Sequence, residues 1–232
     1  MNKLQIGALV FIIMLGGIIL LISTLITGNN KINKKTPPVD ETKPLVYTKE
    51  RFFVSELDKN SKLPYINLDS DDALIVNQVL ADQYKDAKNN KLYFDYEYNK
   101  TNNILSLLIK YYEISTGEYQ KMNYKIYNFD LKNNLRLDTN QIKNRLNIKQ
   151  SNLKTAFDNK LQFYYQEALL DNQNLTYNEY LNYIQASYEY FKNSDLYLCK
   201  FKVACIYYQP FYDQSTIEKH ILDNIYEFQV NY

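Results

Sequence analysis

Tryptophan is absent from this chain, histidine occurs once, cysteine twice, and glycine and proline five times each in 232 residues. Each scarcity closes a door. One His and two Cys cannot supply the four soft ligands of a zinc site by themselves. So few glycines leave little material for serial phosphate-cradling loops, and no G-x-S-x-G elbow or H-E-x-x-H helix occurs. An excess of either charge is missing too. The 27 Lys and Arg nearly balance 26 Asp and Glu, giving a formal net charge of +1. A nucleic-acid binder ordinarily carries a basic footprint, so nucleic acid is not expected as a partner.

What the chain has in quantity is tyrosine, 24 residues, together with Lys, Asn and Ile. An AT-rich coding sequence supplies the same set, and alternating strand positions account for many of the tyrosines. A Tyr-rich surface for stacking on sugars or partner proteins is the functional counterpart. The chain also has one long uncharged run, Leu4 to Ile26, with only Gln5, Ser23 and Thr24 as polar interruptions. As a helix those 23 residues would be about 35 Å long, enough to span a bilayer with some tilt. A signal peptide has an apolar core of only about 7–15 residues, so a retained anchor is expected over 1–27. Residues 28–50, with Pro37, Pro38 and Pro44 among Lys, Thr, Asp and Glu, read as a stalk. Lys31, Lys34 and Lys35 after the span favour a cytoplasmic C-terminal part on charge alone. The three-residue N-terminus before it favours the opposite orientation.

The remaining chain predicts an α+β fold: an antiparallel β-meander with packed helices in two coupled modules, 51–148 and 149–232. Leu63 to Leu68 reads as a short extended segment. Ser70, Asp71 and Asp72 provide an N-cap for a helix striped by Ile75, Val76, Val79, Leu80, Tyr84 and Ala87. Period-two alternation follows from Leu92 to Tyr98, then an apolar strand from Ile104 to Ile114, and a third strand from Tyr119 to Leu131. In the second module Leu153, Phe157, Leu161 and Tyr164 stripe a helix. Thr176 and Glu179 form a capping box before another helix. Strands are expected at Tyr188–Phe191, over Leu196–Tyr208 and at Tyr226–Val230. Ser215 and Glu218 predict a short capped helix through Leu222.

Candidate chemistry is thin. Cys199 and Cys205, placed on one strand, would face the same side about 20 Å apart and remain buried thiols. His220 has Glu218 and Asp223 nearby but no nucleophile or metal motif, which suits a structural histidine. The acidic pairs Asp71/Asp72, Asp40/Glu41 and Asp95/Glu97 suit a helix cap, the stalk and a solvent-facing strand. No catalytic, cofactor-binding or metal-binding residue is assigned, no cofactor is expected, and the ligand-binding residues are unknown.

Several segments in order, Leu63-Pro64-Tyr65-Ile66, Val76-Asn77, Asn103-Ile104-Leu105-Ser106-Leu107, Tyr111-Tyr112 and Tyr127-Asn128-Phe129-Asp130-Leu131-Lys132, carry a resemblance. They resemble the PdaC/RsiV-like extracytoplasmic domain family, found in peptidoglycan deacetylases and anti-sigma factors. The likeness covers about residues 50–225 and is loosest near Phe191 to Leu196. Asn133-Asn134 stand where the family has Thr-Gly, and no deacetylase catalytic sequence is present in these residues. The resemblance implies a non-catalytic domain outside the cell membrane with peptidoglycan or a lysozyme-like protein as ligand. It also tips the topology outward, with the lipid bilayer engaged through Leu4 to Ile26. An envelope polysaccharide hydrolase or deacetylase using unassigned carboxylates is the alternative. A structural partner of another membrane protein, touching it through Gly16-Gly17, is a third reading.

Overall fold

A computed structural model describes residues 39–89, 92–115, 118–183, 187–199, 203–208 and 226–231. The expected anchor at Leu4–Ile26, His220 and the Ser215 capping box lie outside the described residues. Among the described residues no helix is long and apolar enough to cross a membrane.

The architecture is α+β with antiparallel sheets. Strand β1 (Val46–Val54) pairs with β2 (Lys59–Ile66) in a hairpin that carries a bulge between Thr48 and Glu50. Helix α1 (Asp71–Asn89) follows, then a four-stranded meander of β3 (Leu92–Thr101), β4 (Ile104–Ser115), β5 (Glu118–Asp130) and β6 (Leu135–Leu137). Four helices come next: α2 (Thr139–Arg145), α3 (Gln150–Asp171), α4 (Tyr177–Tyr183) and α5 (Tyr188–Lys192). A three-stranded sheet of β7 (Leu196–Leu198), β8 (Val203–Tyr208) and β9 (Tyr226–Asn231) completes the described fold.

The first half of β4 is buried on both faces, which explains why it reads as a continuous apolar run rather than an alternation. Every residue from Ile104 to Ile109 is at most 1% exposed. Leu105, Leu107 and Ile109 meet α1 together with Phe94 and Phe129. On the opposite face Leu108 and Ile126 meet Tyr197 and Cys205 of the second sheet. Fully burying each such side chain contributes about 1.5–3 kcal/mol. The helices α2 to α5 pack around β7–β9 in a further core, with Phe157, Phe191 and Phe228 in mutual ring contact. Ile104, Leu137 and Ile142 join that core from the first half, so it crosses the expected boundary at 148.

Turn chemistry compensates for the missing glycine. All five glycines fall at positions 7, 16, 17, 28 and 117, outside the described residues. Left-handed backbone is instead taken by Asp58, Asn102, Asn103, Asn134 and Asn147, the residue types that tolerate it best after glycine. Asn102 and Asn103, with φ of 47° and 59°, form the two-residue connection of the β3–β4 hairpin.

Several expectations need correction. The α1 stripe is rotated: Ala73, Val76, Asn77, Leu80, Tyr84 and Ala87 are buried, while Ile75 is 61% exposed and Val79 38%. The cause is a polar residue on the buried face. Asn77 receives the Ile66 amide at 2.8 Å and donates to the Ile66 carbonyl at 2.9 Å, taking the place of a strand partner for β2. Tyr188–Phe191 is helical, because the Ser187 hydroxyl caps the Tyr190 amide at 3.3 Å. Leu196–Tyr208 is a hairpin rather than one strand, closed where the Cys199 amide donates to the Val203 carbonyl at 2.8 Å. The chain is already folded inside the span read as stalk: β1 begins at Val46, and Asn67 binds Asp40 through both its amide oxygen and nitrogen.

Candidate functional site

The hairpin correction also changes the cysteines. Cys199 and Cys205 lie diagonally across β7 and β8, with Cα atoms 6.0 Å apart, and form a disulfide. The expected buried thiols do not exist, because the 20 Å separation assumed a single strand.

That disulfide stands at the wall of a cleft of about 760 Å³. Strand β3 forms the floor with Tyr96, Glu97, Tyr98 and Asn99. The β1–β2 hairpin contributes Thr48, Arg51 and Lys62, and the end of β7 contributes Tyr197 and Cys199. Hydrogen bonds fix these walls in place. Asn99 Nδ2 donates to the carbonyls of Leu198 and Cys199, at 3.0 and 2.9 Å. The Leu198 amide donates to Ser106 Oγ at 3.0 Å, and Asn128 Nδ2 donates to the Leu196 carbonyl at 2.9 Å. Side chains from three meander strands thus satisfy the backbone of β7 and lock the second sheet against the first. On the other wall, Thr48 Oγ1 and the Tyr96 hydroxyl share a hydrogen bond of 2.8 Å. The Ser61 hydroxyl bridges β2 to the Phe94 amide and carbonyl of β3.

The charges in and beside the cleft divide into committed and uncommitted groups. Lys62 Nζ is 3.2 Å from Asp95 Oδ1, and Glu97 is paired with Lys110. Arg51 is exposed and has no ion-pair partner among the described residues. Tyr197 is only 5% exposed, and burial, with the Glu97 carboxylate adding to it, pushes its phenol up to about 12. It therefore stays a proton donor at any physiological pH. Its hydroxyl has no hydrogen-bond partner among the described residues and is not sealed from the surface. Tyr98 presents its ring 43% exposed.

A shallower depression of about 700 Å³ lies between α3 and β9, lined by Lys160, Phe163, Tyr164 and Glu227 among others. Lys160 Nζ sits 5.1 Å from the Phe163 ring centre and 4.7 Å from that of Tyr164, so its charge is already engaged.

Of the acidic pairs singled out in the sequence, Asp72 Oδ2 accepts the Arg136 amide at 2.8 Å and ties α1 to β6. Asp40 accepts the Thr42 amide and hydroxyl in a turn. Asp95 and Glu97 lie beside and in the cleft. Among the described residues no three His, Cys, Asp or Glu gather as a metal site. The Asn128-Phe129-Asp130 stretch is architectural. Phe129 is fully buried, and Asp130 accepts from Arg145 Nη2 at 2.7 Å, the Lys132 amide at 3.0 Å and Asn133 at 2.5 Å. No local motif announces the cleft, since its parts come from residues 48 to 199.

The described fold is thus an α+β unit with a polar, tyrosine-lined cleft at the junction of its sheets. No protein-family model and no curated protein matches the chain.

Proposed function

We propose that the chain is a single-pass, membrane-anchored protein whose α+β unit lies outside the cytoplasm. There it binds a cell-wall polymer or a protein ligand at the bacterial cell envelope and catalyses no reaction. The observation that carries this reading is the cleft on β3, a concave surface where Tyr96, Tyr98 and Tyr197 stand among converging polar and charged side chains, a combination that ligand sites use for orientation and specificity. The Cys199–Cys205 disulfide supports an oxidising, extracytoplasmic location. The uncharged run Leu4–Ile26 supports the anchor, and the resemblance to PdaC/RsiV-like domains supports the envelope as the place of work. Glu97 and Asp95 are both tied to lysines, so neither is set apart as a general acid or base.

The test is co-sedimentation of the full chain, in detergent micelles, with purified peptidoglycan and its capture on immobilised lysozyme. Retention on either, weakened by Tyr98→Ala, is the expected result; retention on neither overturns the binding reading. Protease treatment of intact cells checks the topology, and a unit protected until lysis would place it on the wrong side.

A further inference from the structure

We infer that the β3 cleft takes an acidic oligosaccharide, with a sugar ring on Tyr98, a sugar oxygen on the Tyr197 hydroxyl and a carboxylate at Arg51. This rests on the binding reading above and adds the ligand class and the residues that select it.

The groups left open in the cleft define the ligand. Asn99, Thr48 and the Tyr96 hydroxyl are spent on internal hydrogen bonds, and Lys62 on Asp95. Among the described residues, what remains is one cation, Arg51, one exposed ring, Tyr98, and the hydroxyl of Tyr197, a residue more than nine-tenths buried. That hydroxyl can exchange water for an acceptor carried by a ligand, on a residue whose ring is already fixed by burial. Sugar rings offer such acceptors, together with C–H faces that pack on an aromatic ring. Glu97, neutralised by Lys110, can accept from a sugar hydroxyl without repelling an acidic ligand strongly. Arg51 then provides a planar, permanently charged fork suited to a carboxylate.

A peptide added as an extra strand is the competing occupant, and most of the floor strand's edge amides are already engaged. The Phe94, Tyr96 and Lys100 amides on the open edge of β3 already donate to Ser61 Oγ, Asp95 Oδ1 and Asn99 Oδ1, at 3.0, 2.9 and 2.9 Å. An incoming strand would have to displace them.

The experiment titrates the full chain in detergent micelles with two β-1,4-linked N-acetylamino-sugar tetrasaccharides, one bearing lactyl carboxylates and one neutral, and with an acidic heptapeptide. The carboxylated sugar should bind about tenfold more tightly than the neutral one, the ordinary size of one charge-assisted contact. Arg51→Gln should bring it down to the neutral level, and Tyr197→Phe should weaken both sugars. Thermal unfolding of each variant confirms that it folds. Equal affinity for the two sugars, indifference to Arg51→Gln, or binding of the peptide alone each overturns the inference. Peptidoglycan or lysozyme retention that persists in those cases keeps the broader binding reading; loss of that retention as well ends both.

Discussion

Breaking the Cys199–Cys205 disulfide should loosen the wall of the cleft, and the size of the effect follows from its position. The bridge closes a loop of sequence separation 6. Loop-closure entropy for so short a ring corresponds to about 2 kcal/mol of stability. For a folded unit of this size, that lowers the unfolding midpoint by roughly 4–8 °C. Cys205 is 1% exposed, so replacement by Ala avoids adding a buried hydroxyl, and Cys199→Ala/Cys205→Ala is the clean variant. Thermal unfolding of the full chain, followed by circular dichroism with and without a phosphine reductant, measures the shift. The reduced protein and the double variant should coincide. The hydrogen bonds from Asn99 and Ser106 to β7 remain, so the fold itself should persist at 25 °C. Equal midpoints for oxidised and reduced chains, or two free thiols in the protein purified without reductant, would refute the reasoning.

Three further predictions concern the scaffold. Asn103→Ala places a Cβ without a compensating polar group at φ 59° and should cost about 1 kcal/mol, whereas Asn103→Gly should be close to neutral; urea unfolding separates the two. Leu107→Ala, at the fully buried centre of β4, should cost about 2–5 kcal/mol in the same assay, and a loss below 1 kcal/mol would mean the two-faced core is wrongly placed. The hydrogen bond from the Arg145 guanidinium, helped by the Lys132 amide and Asn133, holds the Asp130 carboxyl well below the usual carboxylate range despite burial. A depressed folded-state value means this contribution is complete above the unfolded pKa of about 3.9 and is lost as pH falls through the lower folded one. Stability should therefore drop through the acid range in the wild type, and Asp130→Asn should flatten that part of the profile.

Periodicity exposed the meander and the long helices because their burial writes a local pattern. Leu153, Phe157 and Leu161 recur at helical spacing and all three are buried, whereas the alternation over Leu92 to Tyr98 marks a strand but not its faces, since Tyr93 is buried and Tyr98 43% exposed. The same reasoning misplaced the α1 stripe. Asn77 counts as polar in any hydropathy pattern, yet its paired bonds to Ile66 place it inside, turning Ile75 outward. Helix α2 has a local signal that periodicity alone does not carry: Asp138 and Gln141 form a reciprocal capping box, each accepting the other's amide at 2.8 Å. The Cys199–Val203 reversal was not legible, since no Gly, Pro, Asn or Asp marks it. From that one missed turn followed both the wrong cysteine geometry and the invisibility of the cleft. The cleft exists only once β7 folds back to meet Asn99, Ser106 and Asn128, contacts that span 68 to 100 residues of sequence.

The most direct test of the central claim is where a bound ligand protects the protein. Hydrogen–deuterium exchange on the full chain, with and without solubilised peptidoglycan fragments, should show slowed exchange in the segments around Thr48–Arg51, Tyr96–Asn99 and Tyr197–Cys199. Protection confined to the α3–β9 depression around Lys160–Tyr164, or no protection at saturating fragment, would contradict the account.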